Sequence, residues 1–214
     1  DDLNKFPGAQ WFVGARLNFA ENLLRYRDDQ LAFVFKGETT KSATMTYAQL
    51  NATVARAAKS LRDLGVQPGD RVVGYLPNLI ETAVAMLAAT SVGATWSSCA
   101  TDIGPQAALD RLGQVEPKVL FTVDGYFHKG QRFDTRANAA ALAKEIPSLV
   151  QTVVVSYATE KPDIAAIPNA VSYDDFIAND ATEIHFEQLP FDHPLYIMFS
   201  SGTTGKPKCM VQGY

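Results

Sequence analysis

The chain has 214 residues, 47% of them hydrophobic and 20% charged, with a net charge of −4. That composition belongs to a globular chain and excludes a disordered or fibrous one, and scattered Lys and Arg without a block argue against a nucleic-acid partner. No apolar stretch approaches the ~18 residues of a membrane span, and two cysteines without metal-ligand spacing, Cys99 and Cys209, argue for a reduced, cytoplasmic setting without a disulfide framework.

Residues 1–30 mix aromatics, Asn and charge with no long period. They read as a lead-in segment that packs on a larger body, and their first residues lack a signal-peptide pattern. Residues 31–35 are a short strand, turning at Gly37. Thr46 and Gln49 have the spacing of a capping box, and Tyr47, Leu50, Val54, Ala57, Leu61 and Leu64 recur at helical spacing behind them. Gly65 is placed to end that helix in a left-handed conformation. After the turn Pro68-Gly69-Asp70 comes a strand over 71–76. Asn78, with Glu81 three residues on, is expected to cap a helix running to about Ser91, which Gly93 breaks. A strand follows over 94–98, then a helix from Pro105 to near Gln114, with proline in its first turn. Strands over 118–123 and 150–156 bracket a helix over 135–145. Residues 158–189 are polar and broken by Pro162 and Pro168, an excursion before the sheet resumes at Leu195. Alternating strands and helices with short links predict α/β layers around a mostly parallel sheet. Residues 31–214 are therefore read as one α/β unit.

The last predicted strand, Tyr196-Ile197-Met198-Phe199, empties into Ser200-Ser201-Gly202-Thr203-Thr204-Gly205-Lys206-Pro207-Lys208. Glycines let backbone amides turn into a shared hollow, and hydroxyls add donors, so such a loop attracts anions, phosphate above all. It is not the loop of P-loop NTPases. Ser200 stands where that motif has its first glycine, and Pro207 where it needs a magnesium-binding hydroxyl. A dinucleotide-binding Gly-x-Gly-x-x-Gly after the first strand is also absent. The competing reading of any Ser/Thr/Gly cluster is a plain surface turn. The buried strand before it favours phosphate binding.

The loop resembles the phosphate-binding signature of the adenylate-forming superfamily: an aromatic, then Ser/Thr-Ser-Gly-Ser/Thr-Thr-Gly-x-Pro-Lys-Gly. It departs at the last position, where Cys209 replaces glycine. Trp11-Phe12-Val13-Gly14-Ala15-Arg16-Leu17-Asn18-Phe19-Ala20-Glu21-Asn22 resembles the N-terminal signature of the acetyl- and acetoacetyl-CoA synthetase branch, in which Val13 is usually proline. Thr46-Tyr47-Ala48-Gln49-Leu50 resembles an early superfamily element. Trp96-Ser97-Ser98-Cys99, the run from Leu109 to Phe121, Asp124-Gly125-Tyr126 and Cys209-Met210-Val211 resemble acetoacetyl-CoA synthetases more narrowly. The resemblance implies the N-terminal part of the large domain of such a ligase. Its co-substrates would be ATP with Mg²⁺, coenzyme A and a short acyl acid, acetoacetate first, with acetate, propionate or a longer acid as alternatives. A non-catalytic nucleotide-binding module is the reading from another class.

In the implied reaction a carboxylate attacks the α-phosphorus of ATP, pyrophosphate leaves, and the thiol of coenzyme A then displaces AMP. The protein needs no nucleophile. It must orient two anions and stabilise charge on the leaving pyrophosphate. The resemblance assigns that task to Ser200, Ser201, Thr203 and Thr204, to amides near Gly202 and Gly205, and to Lys208 as the catalytic cation. Hydrogen bonds to charged groups are worth roughly 1.5–3 kcal/mol each. Lys206 falls at the variable position and is expected in solvent. No residue is assigned to a metal. The superfamily's adenine pocket, ribose and Mg²⁺ ligands and C-terminal lysine would lie downstream, so the chain alone is expected to be inactive. His128, His185 and His193 read as surface or hydrogen-bonded histidines. The basic run Phe127-His128-Lys129-Gly130-Gln131-Arg132 reads as a solvated turn, and Trp11 and Phe12 as packing anchors. Cys99 is expected in the core beside Trp96, and Cys209 below the loop. Asp110-Arg111 and Glu116-Lys118 read as helix-end and surface ion pairs.

Overall fold

The computed structural model describes residues 5, 8–39, 41–200 and 205–213. In chain order the elements are β1 (Arg16–Leu17), α1 (Phe19–Leu23), β2 (Leu31–Lys36), β3 (Ser42–Thr46), α2 (Tyr47–Asp63), β4 (Arg71–Tyr75), α3 (Ile80–Ser91), β5 (Thr95–Cys99), α4 (Pro105–Leu112), β6 (Val119–Val123), β7 (Gly125–His128), β8 (Gln131–Asp134), α5 (Arg136–Glu145), β9 (Gln151–Val155), β10 (Ala170–Ser172), α6 (Tyr173–Phe176), β11 (Leu189–Pro190), β12 (Tyr196–Phe199) and β13 (Cys209–Gln212). A 3₁₀ turn, Gly113–Val115, extends α4.

The expected layered sheet forms. Seven strands lie in the order β10-β9-β6-β4-β5-β12-β13, and every neighbouring pair is parallel except β12 with β13. Parallel strands covered on both faces are apolar throughout, and β6 is buried at all its positions. Its alternate residues enter opposite layers, as a period of two requires. Val119, Phe121 and Val123 join a core built with α1, α2, α3 and α6. Leu120 joins a second core with Ala108 and Leu112 of α4 and Leu142 of α5. The chain steps from β4 to β5 on one side and to β6 on the other. The sheet thus reverses direction at β4, and the carboxyl ends of its strands are where such folds hold ligands.

Helix boundaries follow from local chemistry. Gln49 N–H donates to Thr46 Oγ1 (3.2 Å), and Thr46 N–H donates to Gln49 Oε1 (2.9 Å), which completes the capping box of α2. At the other end Gly65 has φ +76°. Val66 N–H reaches the Leu61 carbonyl and Gly65 N–H the Arg62 carbonyl, a Schellman closure. Asn78 does not cap α3. Leu79 takes the cap position without a side-chain bond, and exposed Asn78 sits one residue too early. Pro105 opens α4 as expected.

The polar stretch 158–189 is not wholly an excursion. It supplies β10, which extends the sheet beside β9, and α6, whose Phe176 meets Phe121 edge-on at 5.4 Å. Sequence reasoning also missed β3, which pairs with β2 in a separate hairpin, and the hairpin β7–β8. The basic run 127–132 lies in that second hairpin, whose turn places Lys129 and Gly130 at φ +52° and +75°. Lys118 pairs with Asp70 at 2.6 Å, and Glu116 faces Arg71 at 3.8 Å, so Glu116 and Lys118 are not each other's partners.

The lead-in is tied down by Asn18, which is 3% exposed. Its Nδ2 donates to the carbonyls of Thr90 (3.0 Å), Ser91 (3.2 Å) and Glu187 (2.9 Å), while its Oδ1 accepts from Glu21 N–H and caps α1. At the end of β6, buried Asp124 accepts the amides of Tyr157 (2.7 Å) and Ala158 (2.8 Å). Gly125 follows because a Cβ there would lie 2.5 Å from the Phe133 carbonyl oxygen and 2.9 Å from Ala158 Cβ. Gly125→Ala is therefore expected to destabilise the chain by about 1–3 kcal/mol, the usual range for overpacking. Urea unfolding measures it, and an unchanged midpoint would contradict this packing.

Candidate functional site

β12 lies between β5 and the edge strand β13 and is part-buried, not the buried strand its apolar run predicted; it must be held there before the loop can leave it. Four contacts from β5 and from Gly93, two residues before it, do this across about 100 residues of sequence. Ser97 Oγ donates to the Ile197 carbonyl at 2.7 Å. Trp96 N–H donates to the Leu195 carbonyl at 3.0 Å. Thr95 Oγ1 donates to the Pro194 carbonyl at 3.2 Å, and His193 Nε2 hydrogen-bonds the Gly93 carbonyl at 2.9 Å. On the outer side β13 pairs antiparallel, with Phe199 opposite Cys209.

The predicted phosphate loop is thus the connection of a β-hairpin at the carboxyl end of β12. Its neck is closed by Ser200 N–H on the Lys208 carbonyl (3.0 Å) and by Lys208 N–H toward Ser200 Oγ (3.4 Å). Ser201, Gly202, Thr203 and Thr204 lie outside the described residues. Gly205 has φ +88°, a conformation that suits glycine and strains other residues. Lys206 and Lys208 are exposed, and Lys208 makes no ion pair among the described residues. Gln114, in the turn that extends α4, donates Nε2–H to the Pro207 carbonyl at 3.1 Å. Sequence reasoning had no access to that contact, because no local pattern links residues 93 positions apart.

Beside the neck a cavity of about 430 Å³ lies against β5 and β12, with Ser98, Cys99, Arg111 and Phe199 in its wall. A larger one of about 610 Å³ is lined by residues 9–16 with Phe191 and Gly213, at the opposite end of β12 from the loop. The smaller cavity reaches Phe199, the residue before the loop, whereas the larger one touches no residue of β12. Trp11 and Phe12 are 53% and 66% exposed, so they are not buried anchors, although Phe12 meets the Phe191 ring at 4.9 Å. Among the described residues no group of three or more His, Cys, Asp or Glu could hold a metal ion. His185 is exposed beside Glu187, and His128 beside Glu38.

The two cysteines differ from expectation in placement. Cys99 packs on the α4 side of the sheet with Tyr75 and Phe199, whereas Trp96 enters the opposite core. Three residues apart on a strand means opposite faces. Cys209 is exposed, since nothing among the described residues covers β13. Burial pushes the Cys99 thiol up to about 12, with nearby Arg111 drawing it down and Asp102 pushing it further up. Half-buried Cys99 therefore holds little thiolate at pH 8. Iodoacetamide at that pH is expected to alkylate Cys209 alone in the folded chain, and Cys99 only after unfolding. Peptide mass mapping reads this, and equal labelling of both would contradict the shielding of half-buried Cys99.

A mostly parallel sheet with a hydroxyl- and glycine-rich run leaving a strand's carboxyl end is the arrangement of α/β folds that bind ligands beyond their strand ends. Residues 19–212 match the AMP-binding enzyme family, and the chain belongs to it. It is 46% identical over 212 residues to an acetoacetyl-coenzyme A synthetase of Rhizobium meliloti (strain 1021), covering 98% of this chain and 32% of that protein. It is 45% identical over 210 residues to the acetoacetyl-CoA synthetase of Macaca fascicularis, covering 94% of this chain and 31% of the relative. The solved acetoacetyl-CoA synthetase from Streptomyces lividans shares 48% identity and a TM-score of 0.89 over 97% of this chain and 32% of its own. The chain spans about a third of the length of these relatives.

Proposed function

We propose that this chain carries the pyrophosphate-gripping part of an acid–thiol ligase that activates acetoacetate with ATP and passes the acyl group to coenzyme A. The observation that carries the reading is the hairpin loop at the carboxyl end of β12, in a chain 48% identical to the Streptomyces lividans structure. The similarity to acetoacetyl-CoA synthetases supports acetoacetate over other acids.

In this reading Lys208, exposed beside the neck, supplies positive charge to the β- and γ-phosphates as they leave. The hydroxyls of Ser200, Ser201, Thr203 and Thr204 and the amides of Gly202 and Gly205 donate to the phosphate oxygens. Preorganised donors of this kind lower the barrier because they need no rearrangement as charge develops. Mg²⁺ would arrive with ATP; no group of three or more His, Cys, Asp or Glu among the described residues would hold it. We also propose the division into a lead-in over 1–30 and an α/β unit over 31–214, and a cytoplasmic place in lipid metabolism. No helix of the described residues is long and apolar enough to cross a membrane.

The test is acid-dependent ATP–pyrophosphate exchange by the product of the whole gene, across acetoacetate, acetate, propionate and longer acids. Acetoacetate is expected to give the fastest exchange, and a preference for another acid overturns the substrate assignment. Lys208→Ala is expected to slow exchange by about 10²-fold or more, the size of effect seen when one charge-stabilising donor is removed. Unchanged exchange would remove Lys208 from the mechanism. The 214-residue chain by itself is expected to form no thioester, because it spans about a third of the relatives. Detectable acetoacetyl-CoA from it would refute that division of labour.

A further inference from the structure

We propose that Gln114 is a positioning residue for the loop: it clips the returning limb, through Pro207, to the end of helix α4. The functional meaning rests on the phosphate-binding reading above. A glutamine amide carries two N–H donors. Here one is given to the Asp110 carbonyl in α4 and the other to the Pro207 carbonyl at 3.1 Å. The first bond folds the side chain back along its own helix, and the second reaches across to the loop.

Pro207 has no N–H, so its carbonyl is its single backbone hydrogen-bonding group. Two residues earlier stands Gly205, the residue type that loses most conformational freedom on being fixed. The neck bonds at Ser200 and Lys208 tie the two limbs of the hairpin to each other and not to the helix layer. Gln114 adds a fixed point outside the hairpin. Its platform is firm: α4 rests through Ala108 and Leu112 on Val73, Tyr75 and Leu120 of the buried sheet. The clip therefore carries the rigidity of the core to the limb that ends in Lys208. Cutting the ordering cost of a binding loop in advance is what preorganisation means.

Gln114 is exposed, so replacing it leaves the core intact. The variants are Gln114→Met, of similar length without donors, and Gln114→Glu, of the same shape without donors. Amide hydrogen exchange is measured on the product of the whole gene, with and without inorganic pyrophosphate. Gly205 and Lys206 are expected to exchange about five-fold faster in both variants, the loss of one neutral hydrogen bond. Amides of β4 and β6 should be unmoved, and half-protection of the loop should need about five-fold more pyrophosphate. Unchanged loop exchange in both variants, or equal acceleration throughout the sheet, overturns the proposal. If pyrophosphate fails to protect the unmodified loop while both variants still loosen it, the clip stands and the phosphate-binding reading falls.

Discussion

The structure depends on one long-range pairing, that of β12 with β5. Only two residue pairs form its parallel ladder, Tyr196 with Trp96 and Ile197 with Ser97. It is reinforced by the Ser97 hydroxyl, the Thr95 hydroxyl and the His193 ring, each reaching about 100 residues along the chain. Closing so large a loop costs entropy, although the cost grows slowly with length. The return is that β12 emerges with its carboxyl end beside those of β5 and β4. Without this pairing the hydroxyl- and glycine-rich loop would hang from a free chain end. With it, the loop is aimed over the ligand-binding side of the sheet.

Much of the scaffold was legible in the sequence because its signals are local. Thr46 and Gln49 are three residues apart, Gly65 follows the last apolar residue of its helix, and Pro105 opens α4; in each case neighbouring atoms settle the geometry. The failures are of another kind. β3 is short and mostly exposed, so it shows no apolar run, and β10 holds three residues in polar surroundings; only a partner makes either a strand. Asn78 has the right chemistry for a cap and the wrong phase, because the helix begins at Ile80. Cys209 was expected to pack below the loop, but it stands exposed on β13.

The site divides along the same line. Its residue types, from Ser200 to Lys208, form a contiguous signature that can be read directly. What orients them is assembled from distant parts: β5 holds the strand before the loop, and the end of α4 holds the limb after it. Arg111 and Cys99 enter the adjoining wall by the same folding; both fall in runs that resemble the family, but nothing in those runs says that the two share a cavity wall. Chemistry was written locally, whereas aim was written in the topology.

Strand β13 has a cost of its own. Among the described residues it pairs only with β12, so its outer side offers a row of unengaged backbone donors and acceptors. From Cys209 to Gln212 it has no proline and no charge, the features with which exposed strands discourage intruders, and Val211 is 58% exposed. An edge of that kind is a template on which another extended chain can pair. Concentrated solutions of the 214-residue polypeptide will therefore keep better when a short strand-forming ligand, or an added lysine on that rim, occupies the vacancy first.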